Sequence, residues 1–158
     1  MRLFALALLL GVVSCSPGSS DAATSAQAAS VHPESGLRVI PLTVTSSGGK
    51  RHVFRVEVAA SEAEQEKGLM FRRAMGADEG MIFPMNPPRM ASFWMRNTVI
   101  SLDIIFIGVD GKIGNIAANA IPYNEMPLPS VGLAKGVLEL NGGRAAELGI
   151  AAGDKVEW

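Results

Sequence analysis

Asp110-Gly111 stands between two apolar runs, Ile104 to Val109 and Lys112 to Ala117. This dipeptide is favoured where a two-residue connection needs positive φ, so the flanking runs read as the antiparallel strands of a hairpin. That turn commits the middle of the chain to a β-sheet. A second hairpin precedes it. Val39 to Thr45 and Arg51 to Ala59 flank Ser46-Ser47-Gly48-Gly49-Lys50, and Val53, Arg55 and Glu57 alternate with Phe54, Val56 and Val58, the period of a half-buried strand. Further strand candidates are Gly80 to Phe83, Ala91 to Arg96, Gly136 to Leu140 and Lys155 to Trp158.

Two stretches read as helical. Ser61-Glu62-Ala63-Glu64 has the form of a capping box, and Glu62, Glu64 and Glu66 put negative charge toward the positive end of a helix running to about Lys67. Gly142-Gly143 introduces a second, shorter helix over Arg144 to Leu148, stopped by Gly149. The 122 residues from 37 to 158 suit one domain with one core. The expected architecture is mainly β: an antiparallel β-sandwich or compact barrel with two short helices.

The start of the chain speaks to location. Met1-Arg2 gives a positive start, and Leu3 to Val13 is an apolar run of eleven residues, far short of the roughly 20 that span a bilayer as a helix. Residues 1–14 read as an export signal. Val12-Val13-Ser14 directly before Cys15 resembles the processing site of bacterial lipoproteins, which makes Cys15 a lipidated N-terminus. Two or three acyl chains, each contributing about 0.8 kcal/mol per buried methylene, form a stable membrane anchor. Ser16 after the cysteine resembles the outer-membrane class, so the expected location is the periplasmic face of the envelope. Cys15 is the only cysteine, so the fold must stand without disulfides. From Ser16 to Gly36 the composition is Ser, Ala, Gly, Pro and Asp, too poor in bulky apolar groups to offset its ordering entropy. Residues 15–36 are therefore expected to be the lipidated cysteine and a disordered tether, with a span of about 25 Å.

Three blocks in fixed order give the family. Gly68-Leu69-Met70-Phe71-Arg72, Glu79-Gly80-Met81-Ile82-Phe83-Pro84 and Phe93-Trp94-Met95-Arg96-Asn97-Thr98 lead into Leu102-Asp103-Ile104-Ile105-Phe106-Ile107. The wording continues through Asp110-Gly111-Lys112-Ile113, Val137-Leu138-Glu139-Leu140-Asn141-Gly142-Gly143, Leu148-Gly149-Ile150 and Gly153-Asp154. Over roughly residues 52 to 158 this closely resembles the bacterial and archaeal domain-of-unknown-function 192 (DUF192) family. The resemblance implies a jelly-roll-like fold and carries no activity with it. Two departures stand out: residue 101 is Ser where Pro is usual, which loosens the turn before Asp103, and the loop from Ile121 to Leu133 lacks the cysteines of many members.

Groups suited to catalysis are scarce. His52 is the one histidine outside the tether, no thiol is left for a Cys-His nucleophile or thiolate zinc site, and no Gly-x-Ser-x-Gly turn, phosphate loop or dinucleotide fingerprint occurs. Without Arg2, 13 basic and 15 acidic side chains remain, with no basic run, which disfavours nucleic acid. No cofactor is implied.

Asp103 is the residue hardest to read as plain scaffold. It opens a nearly continuous apolar run, and an unpaired carboxylate there incurs several kcal/mol of desolvation. Arg72, Arg73, Arg96 and the Asn97-Thr98 turn are the candidate partners, which makes Asp103 a structural clamp before it is a ligand-binding or acid-base group. Trp94 and Arg96 face one way along their strand, and Phe93, Met95 and Asn97 the other. One set is core. The other offers an indole and a guanidinium as a cleft wall for a carboxylate or sugar. Met70, Met75, Met81, Met85, Met90, Met95 and Met126 read as adaptable core filling ahead of Cu(I) ligands.

Three functions compete. The first is a non-catalytic envelope module that binds a small ligand, glycan or protein partner while held to the membrane by lipid. The second is a small enzyme acting on carbohydrate or cell-wall material through paired carboxylates, Asp103 with Glu79 or Glu139, which requires the two about 5 to 9.5 Å apart in one cleft. The third is copper handling, which requires three exposed, convergent sulfurs.

Overall fold

The computed structural model describes residues 30–158, and the expected signal segment, Cys15 and most of the tether lie outside the described residues. The elements are β1 Ser30–Val31, β2 Arg38–Thr45, β3 Arg51–Val58, α1 Glu62–Lys67, β4 Glu79–Phe93, β5 Leu102–Gly108, β6 Ile113–Ala120, β7 Leu128–Asn141, α2 Arg144–Leu148 and β8 Lys155–Glu157. The domain is mainly β with two short helices, as the patterning requires. Both expected hairpins form: β2 pairs antiparallel with β3 from Val39↔Glu57 to Thr45↔Arg51, and β5 with β6 across Asp110-Gly111.

One sheet runs in the order β1-β2-β3-β4-β7-β5-β6, and β8 joins it on the free side of β2. It curls until Lys112 bridges Lys155 and the Val156 N–H reaches the Gly111 carbonyl at 2.8 Å. It does not close into a barrel. A second difference from an all-antiparallel plan is the β3–β4 pair, which is parallel over Arg55↔Glu79 to Val58↔Ile82. A parallel neighbour needs a crossover, and α1 with its following loop supplies it.

Three of the expected short strands are pieces of two much longer ones. Gly80 to Phe83 and Ala91 to Arg96 belong mostly to one strand, β4, while Gly136 to Leu140 is the end of β7. Pro84, Pro87 and Pro88 suggest a break, but the ladder absorbs them in register shifts between Pro84 and Arg89 and again between Met90 and Ser92. Prolines survive in a sheet where a bulge removes the need for their missing donor.

The strands β4, β7 and β5 are buried on both faces. On one face Ile82, Leu138 and Ile105 pack with Leu42, Val56 and Ala145. On the other, Met81, Phe83, Ile104 and Phe106 pack with Leu69 and Met95. Gly80 sits where β4 passes β7, and a Cβ there would lie 2.5 Å from the Glu139 carbonyl. That approach accounts for glycine in its block.

The second face is roofed by the loop after α1 and the segment after β4. Phe71 and Asn97 are both left-handed, at φ 65° and 54°, and the Phe71 N–H donates to the Asn97 carbonyl at 2.8 Å. Each holds the other in a conformation that side chains disfavour. The domain also begins earlier than its composition suggests. β1 pairs with Arg38 and Val39, and Glu34 and Ser35 bond to Arg72 and Glu57, so residues 30–36 are packed through polar contacts rather than apolar ones.

Candidate functional site

A cleft of about 460 Å³ opens between α1 and the middle of β4. Met70, Phe83, Met85 and Phe93 give it apolar walls, Trp94 and Arg96 stand at its lip, and the carboxyl of Glu139 lies in its lining. Glu62, Gln65, Glu66, Lys67 and Arg89 add a polar side to the lining, and the size falls within the range of small-molecule sites.

Glu139 projects from β7 between its cross-strand neighbours Met81 and Ile104. It is 4% exposed. Burial pushes its pKa up to about 8, and nothing among the described residues pulls it back by a hydrogen bond or an opposite charge. The other three buried acids are all satisfied. Glu57 receives both Nη atoms of Arg72, at 2.8 and 3.1 Å, and the Ser35 hydroxyl. Asp154 accepts from the Ser47 and Ala151 amides at 2.9 Å each. Asp103 is fully buried and accepts from Asn119 N–H at 2.8 Å, Gly143 N–H at 3.0 Å and Ala145 N–H at 2.8 Å.

Asp103 therefore has partners, but none of those its sequence context suggests. No arginine among the described residues reaches it. Its three donors are backbone amides that gather β6 and the start of α2 onto β5, and charge-assisted bonds of this kind are among the stronger ones. Arg72 instead forms the buried pair with Glu57 and reaches Glu34 through Nε at 3.1 Å. Arg96 stacks 4.5 Å over Trp94 and bonds Glu125 at 2.9 Å. Thr98 is buried beneath the cleft lip and its hydroxyl donates to the Arg96 carbonyl at 3.2 Å. Asn97 is exposed, and its Nδ2 lies 3.8 Å from the Met70 sulfur. So Trp94, Arg96 and Thr98 share the cleft with Glu139, while Arg72, Asp103 and Asn97 do not line it. Ser101, the departure from the family wording, is tied on both sides: its carbonyl accepts from Gly142 N–H at 2.8 Å and its hydroxyl donates to Ala120.

The paired-carboxylate arrangement does not form. Asp103 is the cross-strand partner of Leu140, and Glu79 and Glu139 each sit one residue out of step with that row, so the sheet lies between Asp103 and either glutamate. Of the methionines, Met81, Met85 and Met95 are buried. Met70, Met85 and Met90 line the cleft. His52 is buried on β3 with its Nε2 unpartnered among the described residues.

The model of the DUF192 family, described as an uncharacterized ACR, matches residues 43–158. A crystal structure of a protein of unknown function from Novosphingobium aromaticivorans DSM 12444 superposes with a TM-score of 0.81 at 62% identity, covering 89% of this chain and all of that one. A second, from Sinorhizobium meliloti 1021 and called a “putative transcription regulator”, gives a TM-score of 0.75 at 37% identity over 77% of this chain and 94% of that one. No curated protein matches the chain.

Proposed function

This chain belongs to the DUF192 family, and from that premise we propose that it is a non-catalytic, lipid-anchored module of the cell envelope that binds a small ligand in the cleft above Glu139. The observation that carries the reading is the contrast among buried acids: three are saturated by the protein and the fourth, in the lining of an open cleft, is not. A carboxyl whose charged form is disfavoured by burial and which opens into a cleft is the kind of group found at functional sites. Cys15, behind its apolar run, is the proposed anchor. A nucleic-acid partner finds no support in the charges, because acidic side chains outnumber basic ones, 15 to 14, and no basic run occurs.

Two experiments test the two halves. Cys15→Ser should lose labelled fatty acid and leave the membrane fraction; retention of both would end the lipoprotein assignment. For the cleft, small-molecule hits in an NMR screen should shift the amides of Leu69, Met85 and Glu139 together. Hits that gather elsewhere on the domain would move the site.

A further inference from the structure

We propose that the cleft takes an organic ammonium ion, a primary amine on an apolar body, with its ammonium against the Glu139 carboxylate. The proposal rests on the cleft being the ligand site and names what that ligand must be. The walls fix the apolar part: Met70, Phe83, Met85 and Phe93 offer thioether and ring surfaces with no hydrogen-bonding demand. The base fixes the polar part, since a carboxyl 4% exposed with no partner among the described residues lacks a donor that carries charge. Elsewhere in this protein a buried glutamate in a similar position has one. Glu57 is closed by the Arg72 guanidinium, and an ammonium would do at Glu139 what Arg72 does at Glu57.

A neutral ligand accepting a hydrogen bond from the protonated acid is the rival. The charged pair prevails because charge-assisted bonds are roughly twice as strong as neutral ones. Ionising Glu139 first, from a pKa of about 8, costs only about tenfold in affinity at pH 7. The step balances simply: the carboxyl proton leaves to solvent, the ammonium keeps its three protons, and one proton is released per ligand bound. Other charges face the cleft. Glu62, Glu66 and Lys67 come from α1 and its end, Arg89 from β4 and Arg96 from the lip. Arg89 bonds Gln65 at 3.2 Å and Arg96 bonds Glu125, so two of the three cations are turned to partners of their own.

The test uses the full chain carrying Cys15→Ser, so that no acyl chain competes for the cleft, and three probes of equal shape: n-hexylamine, hexan-1-ol and hexanoate. Calorimetry and the Glu139 carboxyl carbon resonance report binding and ionisation. Hexylamine should bind at least tenfold more tightly than either analogue, release a proton seen as a buffer-dependent enthalpy, and weaken by up to tenfold per pH unit below about 8. Glu139→Gln should keep the fold and lose the preference. Equal binding of hexanol, a flat pH profile, or amine binding unchanged in Glu139→Gln would overturn the ammonium assignment while leaving the cleft as a ligand site. Silence of the cleft resonances to all three probes would overturn both readings.

Discussion

Two carboxyl groups sit on adjacent strands of one sheet, one residue apart in register, and the sheet treats them oppositely. Asp103 pairs with Leu140 and turns to the face where α2 closes over it; Glu139 pairs with Ile104 and turns to the face where the cleft opens. Asp103 meets three amides that the fold itself presents. Glu139 meets none. The difference teaches that burial alone does not tell a structural acid from a functional one; the count of donors does, because a satisfied carboxylate has nothing left to offer a ligand.

The comparison can be broken most forcefully at a third acid. Arg72→Met leaves Glu57 buried opposite an apolar chain, and the loss should be about 3–5 kcal/mol by urea unfolding. A loss below about 1 kcal/mol would mean that partnered acids here are no better held than Glu139. Asp103→Asn comes next. One oxygen cannot serve three amides, and the new NH2 group points a donor at another donor, so the expected loss is about 2–4 kcal/mol. An unchanged urea midpoint would remove the clamp.

Glu139 should show the reverse sign. Its folded pKa of about 8 lies above the ordinary value of 4.5, so the folded state holds a proton that the unfolded state has lost across that interval. Stability should therefore fall as pH rises from about 4.5 to about 8, by up to about 1.4 kcal/mol per pH unit. Glu139→Gln should flatten that slope. Thermal melts of both proteins at pH 5, 6, 7 and 8 decide it, and parallel profiles would sink the assignment of Glu139 as the unpaired acid. The smallest effect belongs to residues 30–36. A chain starting at Leu37 loses the Ser35 and Glu34 contacts to the Glu57–Arg72 pair and should be less stable by about 1–2 kcal/mol, while one starting at Ser30 should match the full chain.

What could be read from the sequence was whatever local chemistry decides. The Asp110-Gly111 hairpin, the Ser61/Glu64 capping box and the Gly149 stop are short-range signals, and each element formed within three residues of its expected limits. The long reach of β4 was hidden because Pro84, Pro87 and Pro88 are local breakers that only a bulged ladder tolerates. The partners of Asp103 were hidden for a different reason: backbone amides belong to every residue, so nothing in the wording marks Asn119, Gly143 or Ala145 as donors. The tether boundary was missed because β1 and the Glu34 and Ser35 contacts are polar, and composition reports only apolar gain. Glu139 did carry a signal. It interrupts Val137-Leu138-Glu139-Leu140 as Asp103 interrupts its own run, and the reasoning applied to one carboxylate holds for the other.

The place of β7 in the sheet has a consequence for how the chain comes into being. β4 and β5 do not touch each other along the ladder; β7 lies between them. Its residues, Leu128–Asn141, come after both neighbours in the chain. Until they are made, β4 and β5 each present an unpaired edge, the surface that invites mispairing with other chains. The keystone of this sheet is thus among the last parts to arrive, and the interval before residue 128 emerges is when the nascent protein most needs to be kept from its own kind.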